Sequence, residues 1–308
     1  MNTVNVELFG KDPKIQKALS IGRNVSVTKA PVLIVGESGV GKKTLGKFIH
    51  ENSNRAGGPF QIIDCSKDDK TVENAILGFR DDVTGRFNKG ILEQANGGTV
   101  LFANIDAIAE NFQKRLHTIL TELEDYDIDI RIISTTTKNL SKLVGAGRFY
   151  RGLYMHVSMN AINLTPLRER LGDLEMLAKR IATSICGDEA IFEDGVIDKI
   201  LSHYWTYNVE ELRNVLENSV KDGETTFTLE NLALGDKKPT NLISDDDSDG
   251  IRLMSLKEAE KLLIKKALIH TSENRTQAAK ILGVSIRTLR NKINEYRNGG
   301  SAYFVNLR

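Results

Sequence analysis

A five-stranded parallel α/β domain with a helical lid, followed by a small all-α module, is the architecture these 308 residues predict. Three observations carry it. Apolar runs alternate with helix-type stretches through the first half of the chain, which is the pattern of a parallel sheet covered by helices on both faces. The β signal ends after Pro166. Charge then changes sign along the chain: residues 251–308 hold 12 Lys and Arg against 4 Glu, or +8, which leaves −7 on residues 1–250 of a chain with net charge +1.

The strand candidates are 31–35, 60–64, 99–103, 129–135 and 161–164, and helix-type stretches at 42–52, 70–78, 88–96, 110–124 and 138–146 lie between them. Between the first strand and the first of these helices stand Gly36, Glu37, Ser38, Gly39, Val40, Gly41, Lys42, Lys43 and Thr44. Strand, glycine-rich turn and helix form the context of a phosphate-binding loop. The glycines let backbone N–H groups curl around an anion, and the helix start adds the positive end of its dipole. Lys42 is the cation for the outer phosphates. Lys43 occupies the place where the general motif has a Ser or Thr for magnesium.

Residues 166–236, with helical patterns at 172–186, 190–203 and 208–220, read as an all-helical lid on the 1–165 core. The polar, turn-rich stretch 237–250 reads as a linker, and Asp245, Asp246 and Asp247 within it as a solvated acidic run. In 251–298, Ser255-Leu-Lys-Glu258 is a capping box that opens a helix to about His270. A second helix runs from about Thr276 to Leu282 and stops at Gly283, and Ser285 caps a third that starts at Ile286. On that third helix Ile286, Leu289, Ile293 and Tyr296 share one face, which leaves Arg287, Arg290, Asn291 and Lys292 outward. A short helix, a glycine turn and a basic helix make a helix-turn-helix whose last helix reads double-stranded DNA. The contact set expected is Arg275, Thr276, Ser285, Arg287, Thr288, Arg290, Asn291 and Lys292. Residues 299–308 are a tail.

Cys65 and Cys186 are far apart in sequence, and the five histidines show no ligand spacing, so neither a disulfide framework nor a zinc site is expected. No hydrophobic run approaches membrane-spanning length and the N-terminus has no signal-peptide profile, so a cytoplasmic protein is expected.

Over nearly its whole length the chain resembles the NtrC-type bacterial enhancer-binding proteins, AAA+ ATPases that remodel RNA polymerase carrying sigma-54. The residues that carry the likeness are Gly36–Lys43, Ile49-His50, Gly58-Pro-Phe60, Leu92–Phe102, Leu164–Arg170, Tyr204-Trp205, Asn208-Val209 and Glu211-Leu212. The stretch Asn274–Lys292 is similar to the family's Fis-type module, especially that of its flagellar regulators. The resemblance implies a five-stranded AAA+ core, a helical lid and a dimerising DNA-binding domain. It also implies ATP or ADP as ligand, with or without Mg²⁺, and oligomers that engage RNA polymerase. Leu8 and Gly10 fall near the family's adenine-pocket segment. Members often begin with a receiver domain; this chain opens at that segment, so no phosphorylation input is expected.

The departures from the family pattern concentrate at hydrolysis. Ala103 and Asn104 replace the Asp-Glu pair that holds magnesium and polarises water, with Asp106 nearby at a position usually glycine. Thr137 replaces the sensing Asn, Tyr150 and His156 replace the two arginine fingers with Arg151 beside the first, and Glu210 replaces the lid arginine. Around 78–86 only Thr84 and Gly85 remain of the loop that family members press onto sigma-54. Arginine fingers alone are worth about a thousandfold or more in rate, so very slow hydrolysis is expected. The leading reading is a nucleotide-binding, hydrolysis-deficient DNA-binding regulator that partners an intact homologue. Against it stand an active ATPase remodelling sigma-54 polymerase and a protein whose loop no longer binds nucleotide. Trp205 and Tyr204 read as lid core, and Arg168 and Arg170 as structural ion pairs.

Overall fold

The computed structural model describes residues 10–81, 85–187, 190–220, 225–232, 234, 260–261, 263–264, 267–268, 271 and 274–298. Helix α1 (Pro13–Ser26) opens with Pro13 in its first turn and Asp12 as cap, the Asp12 carboxylate accepting from the Lys14 N–H at 2.8 Å. There follow β1 (Val32–Val35), α2 (Lys42–Glu51), β2 (Phe60–Asp64) and α3 (Asp69–Leu77). A hairpin of β3 (Gly78–Arg80) and β4 (Phe87–Lys89) leads to α4 (Ile91–Gln94) and β5 (Thr99–Ala103). Then come α5 (Glu110–Thr121), β6 (Arg131–Thr136), α6 (Leu140–Gly145), α7 (Arg151–Val157) and β7 (Asn160–Asn163).

The sheet is parallel throughout, in the order β2-β5-β6-β1-β7. Alternate strand residues feed two separate cores, as a pleated sheet covered on both faces requires. Leu33, Val100, Phe102 and Ile132 enter one core; Val32, Ile34, Leu101, Ala103 and Ile133 enter the other. Helix α2 lies so close to β5 that a Cβ at Gly46 would fall 2.2 Å from Leu101 Cδ1.

The lid has its own core, which includes Leu167, Leu174, Ile181, Ile200, Trp205, Leu212 and Phe227. It consists of α8 (Leu171–Cys186), α9 (Val196–Ser202) and α10 (Asn208–Ser219), and it is not all-helical. Strands β8 (Ile191–Phe192) and β9 (Thr226–Phe227) pair in parallel, and the Phe192 and Phe227 rings stack 4.8 Å apart. Two-residue strands leave no period-2 signal to read. Trp205 is fully buried and its indole N–H donates to the Ile200 carbonyl at 2.9 Å.

Other elements differ from expectation. The stretch 88–96 contains only the four-residue α4, because Gly78 and Gly90 let the β3–β4 hairpin close directly before it. Helix α9 is shorter than 190–203 and begins after Gly195 in the left-handed region, φ +81°. Helices α1 and α7 and the β3–β4 hairpin carry no expectation from sequence.

Backbone contacts divide the chain into units Met1–Thr240 and Asn241–Arg308. In the second, helical residues among 260–268 and the helices Arg275–Ile281 and Ile286–Asn298 enclose Ile264, Leu268, Ala278, Ala279, Leu289, Ile293 and Tyr296. The capping box at 255–258, the linker 237–250 and the tail 299–308 lie outside the described residues. No helix of the described residues is long and apolar enough to cross a membrane. Trp205→Ala should lower unfolding free energy by about 3–5 kcal/mol, because it empties a buried indole site and removes one of the bonds to the Ile200 carbonyl. Urea unfolding followed by circular dichroism checks this.

Candidate functional site

The phosphate loop joins the carboxyl end of β1, inside the sheet, to the start of α2. Gly39 (φ +71°) and Gly41 (φ +102°) take the left-handed backbone that a side chain resists. Gly41 is also the N-cap of α2 and brings no side chain to cap it, so the helix start has no built-in anion of its own. These features fit a phosphate chain. Lys42 turns back into the loop, its ammonium donating to the Gly36 and Glu37 carbonyls at 2.8 Å each. Burial pushes its pKa down to about 8, against the opposing pull of Asp106, Glu210 and Glu37.

The lid sits directly on this loop. Asn208 is fully buried and in left-handed backbone, φ +52°. Its amide donates to the Ser38 carbonyl at 2.9 Å and to Glu37 Oε2 at 3.3 Å, while its Oδ1 accepts from the Leu167 N–H at 2.7 Å. Arg168 forks onto the Glu37 carboxylate with two 2.5 Å contacts and lies 5.1 Å over the Tyr204 ring. The Arg168 bond, first, and that from Asn208 lower the Glu37 pKa despite partial burial. The Glu210 N–H donates to the Gly39 carbonyl at 3.2 Å, and a Cβ on Gly39 would fall 1.9 Å from the Tyr207 carbonyl oxygen. Arg168 is thus an ion-pair partner as expected. Arg170 is not: it is buried at 1% exposure and none of its guanidinium nitrogens has a hydrogen-bond partner. Leu8 lies outside the described residues, and a Cβ on Gly10 would strike the Asp173 carboxylate at 2.3 Å. That carboxylate is held in place by the Lys11 and Asp12 N–H groups.

At the carboxyl edge of the sheet Ala103 is buried and contributes only a methyl group. Asn104 follows in left-handed backbone, φ +56°, and its amide donates to Asp64 Oδ1 at 3.0 Å. Asp64 is a site residue the sequence reading missed; the signal was its place at the end of β2, in register with Ala103. Burial opposes its charge, but bonds from Ser66 and Asn104 leave its pKa lowered. Asp106, its side chain 6% exposed, accepts from Thr136 Oγ1 at 2.6 Å and faces Lys138 at 3.7 Å. Ala103 offers a cation no side-chain oxygen, the nearby Asp64 and Asp106 carboxylates already accept from Asn104 and Thr136, and no group of three or more His, Cys, Asp or Glu suited to a metal ion occurs among the described residues. The loop fits phosphates.

Thr137 is exposed beyond the end of β6. Tyr150 is 37% exposed at the start of α7, and Arg151 beside it is exposed. His156, further along α7, has a buried Nε2 without a hydrogen bond and a pKa lowered by burial and by His117. In the hairpin, Asp81 and Arg86 close the turn through a 2.9 Å backbone bond, and Phe79 and Phe87 are exposed; residues 82–84 lie outside the described residues.

In the second unit Asn274 caps its helix by accepting from the Thr276 and Gln277 N–H groups, and Gly283 (φ +68°) turns the chain. Ser285 Oγ then accepts from the Thr288 N–H at 3.0 Å. Arg287, Thr288, Arg290 and Asn291 are exposed, and Arg275 is half-buried. Two expectations need correction. Ile286 is 38% exposed, because the first helical residue precedes the turn that packs on the core. Lys292 does not point outward: its ammonium meets Glu260 at 2.9 Å, where the Tyr296 hydroxyl also donates.

The sigma-54 interaction domain profile matches residues 8–163, and the Fis-family bacterial regulatory protein profile matches residues 255–296. The transcriptional regulatory protein FlbD of Caulobacter vibrioides is 29% identical over 94% of this chain and 70% of its own length. The regulatory protein AtoC of Escherichia coli is 31% identical over 88% of this chain and 64% of its own. The Nif-specific regulatory protein of Klebsiella pneumoniae is 32% identical over 93% of this chain and 58% of its own. The chain therefore spans less than two thirds of the last two relatives. Among solved structures, NtrX of Brucella abortus shares the fold with a TM-score of 0.66 at 23% identity, covering 94% of this chain and 69% of that one. NtrX in complex with ATP gives a TM-score of 0.62 at 21% identity, covering 93% of this chain and 68% of that one.

Two outcomes are expected from this geometry. Arg168→Ala should loosen the lid, seen as faster amide exchange at 204–212 with the strands unchanged. Affinity for pyrophosphate should fall as pH rises above about 8, where Lys42 loses its proton, by up to about tenfold per pH unit; calorimetry across pH 7–10 checks it.

Proposed function

This chain belongs to the sigma-54-dependent transcriptional regulators, and we propose that within them it is a nucleotide-binding, DNA-binding member that hydrolyses ATP very slowly or not at all. One observation carries the reading. The loop from Gly36 to Thr44 has the backbone and the lysine that phosphate binding needs, while the strand edge beside it offers Ala103 and an Asn104 already bonded to Asp64. Binding needs an anion cradle; hydrolysis also needs a polarised water, a metal and neutralised outer charge. Tyr150, His156 and Glu210 supply none of the last. ATP or ADP is then a ligand that favours one arrangement of the lid, not a fuel.

In this reading residues 1–165 are the nucleotide-binding core, 166–236 the lid, 237–250 a linker and 251–298 the DNA-binding domain. Arg287, Thr288, Arg290 and Asn291 face the major groove, with Arg275, Thr276 and Ser285 on the backbone phosphates. Asp81 and Arg86 make the hairpin a poor match for the family's sigma-54 contact, so the protein acts through an intact homologue in mixed oligomers; the similarity of Asn274–Lys292 to flagellar regulators suggests flagellar genes as the setting.

The test is to measure nucleotide binding and turnover alone, then in mixture with an intact homologue from the same organism. Binding without turnover, together with a changed homologue ATPase rate, is the expected result. Turnover abolished by Lys42→Ala would establish the active-ATPase reading instead. Adding Asp and Glu back through Ala103→Asp with Asn104→Glu should not restore full activity, because the fingers and lid arginine stay absent. Arg290→Ala should weaken specific DNA binding by about 1–3 kcal/mol, measured by titration at fixed salt.

A further inference from the structure

The lid helix α8 opens on two buried charged residues that make no bond to each other's side chains. Arg170 is its N-cap residue, and Asp173 stands three places on, its N–H donating to the Arg170 carbonyl at 2.9 Å. Both residues are 1% exposed. Side chains at i and i+3 on a helical turn are neighbours, yet none of the three guanidinium nitrogens of Arg170 has a hydrogen-bond partner. The Asp173 carboxylate is committed to the segment before α1. Its Oδ1 accepts from the Lys11 N–H at 2.6 Å and from the Asp12 N–H at 3.2 Å, and a Cβ on Gly10 would strike its Oδ2. Gly10, Lys11 and Asp12 thus wrap the carboxylate as a strap of main chain. The other carboxylates close in sequence are committed too. Asp12 caps α1 through the Lys14 N–H at 2.8 Å, and Glu169 meets the Lys14 ammonium at 3.0 Å. Burial lowers the Arg170 pKa, and the charges of Asp173 and Asp12 only partly oppose it.

We infer that Asp173 is the shared partner of a two-state latch, held either by the Gly10–Asp12 strap or by the Arg170 guanidinium. In the docked arrangement of this structure the strap closes onto the lid helix. Docking gains two main-chain bonds to a buried carboxylate and leaves a cation stranded, and a buried unpartnered charge is costly. When the strap lifts away, its N–H groups turn to water. The freed carboxylate then takes the planar fork of a guanidinium on its own helical turn. Each state satisfies one set of donors and leaves the other waiting, which holds the two states close in free energy and makes the strap easy to bias. Gly10 is needed for the docked state, because a side chain there displaces the carboxylate. The strap leads directly into α1 and Asp173 belongs to α8, so docking and release couple the first helix of the core to the lid. The latch makes no use of the phosphate loop and stands whether or not nucleotide binds.

The experiment is amide hydrogen exchange on the full chain, read at residues 11–16 and along α8, together with a thermal melt. It compares the unaltered protein, Arg170→Met, Gly10→Ala and the two substitutions combined. Methionine fills much of the buried length of the arginine without its charge. In Arg170→Met the released state loses its pairing and the docked state loses its stranded charge. Exchange at 11–16 should therefore slow by on the order of tenfold, and the melting temperature should hold or rise. In Gly10→Ala exchange at 11–16 should quicken while the strands keep theirs. Adding Arg170→Met to Gly10→Ala should then lower the melting temperature, because Asp173 has lost both partners. That reversal of sign is the mark of a shared partner. Quicker exchange at 11–16 in Arg170→Met, a lower melting temperature in that variant, or its failure to fold would show that Arg170 supports the docked state, and overturns the latch. An effect of Arg170→Met with the same sign in both backgrounds overturns it as well.

Discussion

The buried amide of Asn208 is the contact on which the rest of the site depends. With no exposure to water it must satisfy its donors and acceptor inside the protein, and it does so on three groups of two chain segments: the Ser38 carbonyl and Glu37 of the loop, and the Leu167 N–H that begins the lid. An unsatisfied buried amide costs about 1–3 kcal/mol, so loop, connection and lid hold one another in place. The Arg168–Glu37 fork and the Gly39–Tyr207 contact add to the same junction. Gly39 has to be glycine twice over, for its backbone angle and because the lid occupies the space of a side chain.

From that junction outward, the two sides of the loop differ in chemistry. The side toward α2 keeps the anion cradle. The side toward the strand edge has exchanged its polar groups among themselves: Asn104 is spent on Asp64, Thr136 on Asp106, and Lys42 on two carbonyls of its own loop. Each bond is ordinary for a buried polar group. Together they describe a site whose groups are satisfied within the protein.

The basic helix follows a similar economy. Its exposed face carries Arg287, Arg290 and Asn291, and its inner face anchors through Leu289, Ile293 and Tyr296. Lys292 lies at the boundary and is drawn to Glu260, whose carboxylate also accepts from the Tyr296 hydroxyl and is thereby fixed in place.

The five parallel strands, the loop and the turn at Gly283 were legible in the sequence because each has a local signal: a run of apolar residues, a glycine needing positive φ, a cap such as Ser285. The loss of oxygen ligands at Ala103 was legible too, since no fold can give alanine a carboxylate. Only the tertiary structure decided that Asp64 from a neighbouring strand bonds Asn104, that Arg170 is buried without a hydrogen-bond partner, that Lys292 turns inward, and that Asn208 of the lid bonds Ser38 of the loop. The pairings are between residues 32 to 170 positions apart, and no local periodicity records them. Sequence determines which atoms are available; the packing of sheet, loop and lid determines which of them meet.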